Sequence, residues 1–278
     1  MNKLTILVSL LLIISPIYSA ECDTVALWLL DDDLIPDEEL PELEMPGTIV
    51  HDLSGNEISG GINGGAKFVK GKYNSALEFD GENDFVDFGV AAPLEEINKQ
   101  MTIEAWVKIP EAPKAGNTQT IVGQFLGLGE LQFSIDDGHL RGIVTTKFTW
   151  GVGDPNPFPV NEWVHTAVTY DGEQLKLYRN GVEIASKAVK GNIDHSLGDG
   201  GSGRYMIGAS AAEGRRYFTG LVDEVRISDV ALPPEELGFF KRLSREGVMH
   251  IIEVEDENQS VAAADKLATT WSQIKTRY

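Results

Sequence analysis

EWVHTAVTYDGEQLKLYRNGVEIAS, residues 162–186, holds three strand-length runs separated by two turns. Glu162 to Tyr170 is rich in β-branched and aromatic residues, and Asp171-Gly172 starts a turn into Leu175 to Arg179. Asn180-Gly181 is the pair favoured in two-residue hairpins, where the central positions need positive φ, and Val182 to Ser186 returns. Three successive antiparallel strands make a meander. The same punctuation recurs upstream. Leu77 and Phe79 alternate with Glu78, Asp80-Gly81 turns, and Phe85 to Phe88 comes back; Asp137-Gly138 joins Leu131–Ile135 to His139–Thr145. Met101 to Ile109 alternates cleanly, with Ile103, Ala105, Val107 and Ile109 on one face and Glu104 and Trp106 on the other. Twenty-nine glycines and 42% apolar residues suit an all-β domain with many turns.

Another stretch, Gly220 to Ser228 (GLVDEVRIS), also reads as a strand. Alternation sends Leu221, Asp223, Val225 and Ile227 to one face and Val222, Glu224, Arg226 and Ser228 to the other. The first face is apolar except for Asp223. A buried carboxylate is costly unless backbone N–H groups, an arginine or a metal satisfies it.

The N-terminus reads as an export signal. Met1-Asn2-Lys3 precedes an apolar run from Leu4 to Tyr18, too short to span a bilayer comfortably, with small residues at Ser19 and Ala20. Residues 1–19 are therefore expected to be cleaved, which gives a secreted, cell-surface or periplasmic protein with no transmembrane segment in the mature chain. Cys22 stands where a lipoprotein would carry its lipid, but Glu21 replaces the small residue required before it. A single cysteine permits no intrachain disulfide, and a net charge of −20 argues against nucleic acid or an anionic membrane as partner.

Asp31 to Pro46 is acidic and proline-bearing, with no Lys or Arg; its spacing fits no EF-hand, and it reads as a solvated loop. Gly60 to Gly65 lacks the spacing of a phosphate loop. Lys147 to Pro159 has too much Gly and Pro for a strand interior and reads as a loop carrying Phe148, Trp150 and Phe158, rings that either stack on a ligand or close over the core. Leu232 to Leu237 starts a helix expected to reach about Ser244, and the remainder reads as a flexible extension.

Five runs in order resemble the laminin-G-like jelly-roll family, with its concanavalin A-like two-sheet fold. They are ALWLLD, DLSGNEISGGINGGAKFVKGKYNSALEFDGENDFVDFG, MTIEAWVKI, the meander 162–186, and GLVDEVRISDVALPPEEL. The resemblance implies a two-sheet antiparallel jelly-roll sandwich over residues 23–237, followed by a helical or flexible extension over 238–278. It also implies a binding role toward a glycan or an extracellular protein; the loop rings Phe148 and Trp150, with Arg215 or Arg216, are the candidate contacts read from the residues themselves. A structural calcium ion is implied as well, with Asp52, Asp80 and Asp223 as its candidate ligands.

The jelly roll also hosts glycoside hydrolases and lyases, but no E-x-D-x-E run sets carboxylates on one strand face. Asp223 and Glu224 are adjacent and are expected on opposite faces; His165 and Tyr170 are likewise on opposite faces. The five histidines have no zinc-ligand spacing, and no G-x-S-x-G occurs. The expectation is a non-catalytic module that recognises carbohydrate or glycoprotein through loops at one end of the sandwich, with a structural or adhesive protein as the alternative.

Overall fold

A computed structural model describes residues 24–31, 49–126, 129–195, 203–210 and 216–237. The described residues form two antiparallel sheets packed face to face. Sheet A takes β1 (Thr24–Trp28), β4 (Lys67–Lys70), β5 (Ser75–Asp80), β7 (Met101–Lys108), β12 (Val164–Tyr170), β13 (Gln174–Arg179), β14 (Val182–Ala188) and β16 (Thr219–Ser228). Its order is β14-β13-β12-β7-β16-β5-β4, with β1 also on β16. Sheet B takes β2 (Ile49–Val50), β3 (Gly60–Asn63), β6 (Phe85–Val90), β8 (Thr118–Leu126), β9 (Gly129–Asp136), β10 (His139–Thr145), β11 (Thr149–Gly153) and β15 (Arg204–Ile207). Its order is β11-β10-β9-β8-β15-β6-β3-β2. The sandwich expected from the sequence is present. The meander is β12-β13-β14, and its second turn has Asn180 at φ 48° and Gly181 at φ 75°, as the dipeptide requires.

Alternation fills the space between the sheets. Ile103, Ala105, Val107 and Ile109 join Leu131, Phe133 and Ile135 from sheet B in one core cluster. Trp28 anchors the β1 side of the core, fully buried and stacked on Phe88 with ring centroids 4.0 Å apart. Its indole N–H donates to the Ile58 carbonyl at 2.8 Å, so a large ring is buried without an orphaned donor. Truncating such a residue to alanine costs about 3–5 kcal/mol.

Two local expectations change, and two further segments gain detail. Within 147–159, residues Thr149–Gly153 form β11, an edge strand paired to β10, a position that tolerates glycine better than a sheet centre does. Phe158 from the same segment is 2% exposed and lies in the core. The glycine-rich span 60–65 supplies β3. After β16 the chain makes a single 3-10 turn, Pro234–Glu236, and packs Leu232 and Leu237 on Ala167 and Tyr178 of the outer face of sheet A. The expected helix beyond 237, the extension, the signal segment, Cys22 and residues 32–46 of the acidic tract lie outside the described residues.

Candidate functional site

The face assignment of GLVDEVRIS needs correction. Between Asp223, opposite Trp106, and Arg226, opposite Glu104, three steps on β16 match two on β7, and Glu224 sits at φ +55°. That extra residue is a β-bulge, and it reverses the alternation. Val222 before it and Val225 and Ile227 after it face the core, whereas Leu221, Asp223 and Arg226 face outward with Trp106 and Glu104. Asp223 therefore belongs to the outer face of sheet A. Asp223 and Glu224 are both fully buried, and the charge of Glu224 acts on Asp223.

The outer face is covered here by the turn at 71–74. Asp223 Oδ2 accepts the amides of Lys72 at 2.8 Å and Tyr73 at 3.0 Å, while Oδ1 has no hydrogen-bond partner. A side chain at Gly71 would place its Cβ 2.2 Å from the Ser75 carbonyl oxygen and 2.7 Å from Asp223 Oδ2, so only glycine lets the turn come this close. Above the carboxylate, Tyr73 meets Trp106 edge-on and Lys72 Nζ lies 4.3 Å from the Trp106 ring. Burial pushes the Asp223 carboxyl up to about 9, aided by the charges of Glu224 and Asp31 against the pull of the two amides.

Asp31, at the head of the tract expected to be solvated, is 4% exposed. Its carboxylate accepts Ser75 N at 3.1 Å and Asn74 Nδ2 at 3.2 Å. Asp31 and Glu224 are thus companions of Asp223 that the sequence reading missed. They come from chain positions nearly 200 residues apart, and the pairing of β1 and β5 with β16, together with the bonds from Asp31 to Asn74 and Ser75, brings them together.

Asp52, Asp80 and Asp223 do not form one cation site. Asp52 Oδ1 accepts the amides of Leu27 and Ser54, and Oδ2 accepts the Ser54 hydroxyl and the Ile58 amide, at 2.7–3.0 Å. With both oxygens engaged, Asp52 fixes its own turn against β1. Burial still raises its carboxyl, because desolvation outweighs those bonds. Asp80 Oδ1 caps its turn by accepting the amides of Glu82 and Asn83. Among the described residues no group of three or more His, Cys, Asp or Glu side chains is arranged to hold a metal. Both carboxylate oxygens of Asp52 are thus hydrogen-bonded, whereas Asp223 keeps one oxygen without a hydrogen bond.

The ligand-contact candidates also separate. Phe148 is 61% exposed at the β10–β11 turn and meets Trp150 edge-on at 6.3 Å. Trp150 is half-buried against the core, with Lys187 Nζ 5.3 Å from its ring and Lys147 Nζ 5.7 Å from the Phe148 ring. Arg216 donates to Gln132 Oε1 at 2.8 Å. Gln132 alternates with the core residues Leu131 and Phe133, so it faces outward from sheet B, and Trp150 faces inward. Alternation therefore puts Trp150 and Arg216 on opposite faces of one sheet, and they do not form a single site. Arg215 lies outside the described residues.

Two antiparallel sheets of eight strands each, packed face to face, define a two-sheet β-sandwich module. The chain belongs to the concanavalin A-like lectin/glucanases superfamily, whose family model matches residues 80–238. No curated protein matches the chain in sequence. Among solved structures it is similar to domain 4 of AbnA, a GH43 extracellular arabinanase from Geobacillus stearothermophilus, in complex with arabinotriose. That match has 19% identity and a TM-score of 0.53, over 80% of this chain and 99% of that one. It is also similar to the binding domain of Paraclostridial Mosquitocidal Protein 1, with 18% identity and a TM-score of 0.57, over 77% of this chain and 50% of that one. A third similar structure is Trypanosoma rangeli sialidase, with 18% identity and a TM-score of 0.55, over 77% of this chain and 31% of that one. The fold is thus common to binding domains and to proteins carrying glycosidase activity. No helix among the described residues is long and apolar enough to cross a membrane.

Proposed function

We propose that the protein is an exported, non-catalytic glycan-binding module. The observation that carries this reading is the exposed Phe148 ring beside Trp150, flanked by Lys147 and Lys187. Flat apolar rings next to cations suit the faces and hydroxyls of sugar units. Support also comes from the arabinanase domain complexed with arabinotriose, which shares the fold over nearly its whole length.

The non-catalytic part rests on where the carboxylates are. Glu104, Asp223 and Glu224 are fully buried, beyond reach of a polysaccharide. Asp84 is tied to the Asp80 amide at 2.9 Å, a local turn rather than two acids flanking a glycosidic bond about 5–9.5 Å apart. Calcium is proposed at Asp223 alone, whose Oδ1 has no hydrogen bond; Asp31 and Glu224 are not arranged with it as a three-carboxylate metal group.

A glycan array, followed by titration of the best ligand, tests the main reading. Phe148→Ala should weaken binding about tenfold, the weight of one aromatic contact of roughly 1–1.5 kcal/mol. Because the ring is exposed, the fold should be unaffected. Unchanged affinity would remove the aromatic edge from the site, and turnover of a polysaccharide would overturn the non-catalytic reading. The adhesive alternative draws on β14, an edge strand with Val182 63% exposed, which offers unpaired backbone to another strand. Concentration-dependent self-association without glycan binding would favour it.

A further inference from the structure

A cleft of about 480 Å³ opens at the other end of sheet A, away from the aromatic edge in sequence and in strand order. Its floor is a cross-strand row read directly from the pairing register. Lys67 of β4 opposes Glu78 of β5, Glu78 opposes Leu221 of β16, and Leu221 opposes Lys108 of β7. The core residues Leu77, Val222 and Val107 form the neighbouring row, so the Lys67–Lys108 row faces outward. One step along, Asp80 opposes Thr219.

Polar chemistry is divided across this floor. On the β7 side stand Lys108, a donor with no ion-pair partner among the described residues, and the exposed side-chain amide of Asn161, which both donates and accepts. On the β5 side stand acceptors: Asp80, whose Oδ1 alone caps its turn, and Asp84, 3% exposed, whose Oδ1 has no hydrogen bond. The Gly65 amide near Asp84 donates to the Asn63 carbonyl. Leu221 lies between the two sides.

We propose that this cleft is a second ligand site, and that it takes a neutral, polyhydroxylated molecule such as the end of an uncharged oligosaccharide. Each sugar hydroxyl both donates and accepts, so a polyol can bridge donors on one wall and acceptors on the other. Lys67 is paired with Glu78 at 3.3 Å, leaving Lys108 to face Asp80 and Asp84. An anionic sugar would meet those two carboxyls, and a cationic one would meet Lys108. Burial, together with the charge of Asp80, raises the Asp84 carboxyl. The inference rests on the glycan-recognition reading but on none of its residues.

The test is chemical-shift mapping on the isotopically labelled full chain with maltotriose, cellotriose and arabinotriose, alongside trigalacturonate and a chitosan trimer as charged probes. A neutral trimer should shift the amides of Gly65, Asp80, Asp84, Asn161 and Gly220. Asn161→Gly, which removes the amide while suiting the positive φ of 61°, and Lys108→Met should each weaken that binding at least fivefold, with Phe148→Ala leaving it unchanged. Shifts confined to 147–152 and 187 would overturn the cleft while sparing glycan recognition. Tighter binding of either charged trimer at the cleft would overturn the ligand class. No shift with any trimer at the cleft would overturn this proposal, and silence at the aromatic edge as well would overturn both.

Discussion

Glu104 and Asp223 lie on the same outer face of sheet A, on adjacent strands, and both are fully buried. Their surroundings differ in sign. Glu104 Oε1 accepts Arg226 Nε at 2.5 Å, and Oε2 lies 3.0 Å from His165 Nε2. Arg226 in turn donates to the Glu236 carbonyl at 3.1 Å. Burial pushes the Glu104 carboxyl up, but the Arg226 charge and the His165 hydrogen bond outweigh it and hold the group below its usual range. Asp223 receives only two backbone amides and sits beside two further acids, so its carboxyl rises. Equal burial thus gives opposite titration, and the neighbours decide the direction.

The comparison breaks most visibly at Glu104. Replacing it with alanine strands Arg226 without its carboxylate in the interior, and denaturant unfolding should show a loss of about 3–5 kcal/mol. A loss under about 1 kcal/mol would mean that water or the Glu236 carbonyl already satisfies the guanidinium.

Asp223 should respond in the opposite sense. Its carboxyl is raised in the folded state, so its contribution is fully present below the unfolded value near 4 and is lost as pH climbs toward about 9. In chelator, wild-type stability should fall between pH 5 and pH 8 by up to about 1.4 kcal/mol per pH unit, on top of any general effect of the −20 net charge. Asp223→Asn should show the general effect alone. Parallel pH profiles for the two proteins would refute the raised carboxyl.

The smallest effect expected is that of calcium. Calcium binding at Asp223, which displaces the carboxyl proton, at a hundredfold excess over the apparent Kd should stabilise the wild-type protein at pH 8 by about 2.7 kcal/mol. The shift should vanish in Asp223→Asn. A melting temperature indifferent to calcium in both proteins would leave Asp223 satisfied by protein groups alone.

The strands were legible in the sequence because their turns are marked. Asn180-Gly181 and Asp137-Gly138 need positive φ, and the apolar alternation of Met101 to Ile109 runs unbroken. The bulge at Glu224 was not legible. No glycine marks it, and a non-glycine residue at positive φ has no sequence signature, so simple alternation placed Asp223 on the wrong face. The same limit applies to the sites. Phe148 stood out as an aromatic residue in a glycine-rich segment, but the opposition of Trp150 and Arg216 across one sheet depends on β11 being a strand. The cleft draws its floor from four strands, and its residues become neighbours only through pairing register.

The antiparallel pairing of β1 with β16 sets Thr24 opposite Ser228, so the first and last described strands run side by side at the centre of the fold. The sandwich is therefore entered and left through one doorway. A short bridge could join the two strands and new ends be opened at an exposed hairpin such as 180–181, as in a circular permutant. By the same geometry the unit could be spliced into a surface loop of a larger host without prising its sheets apart.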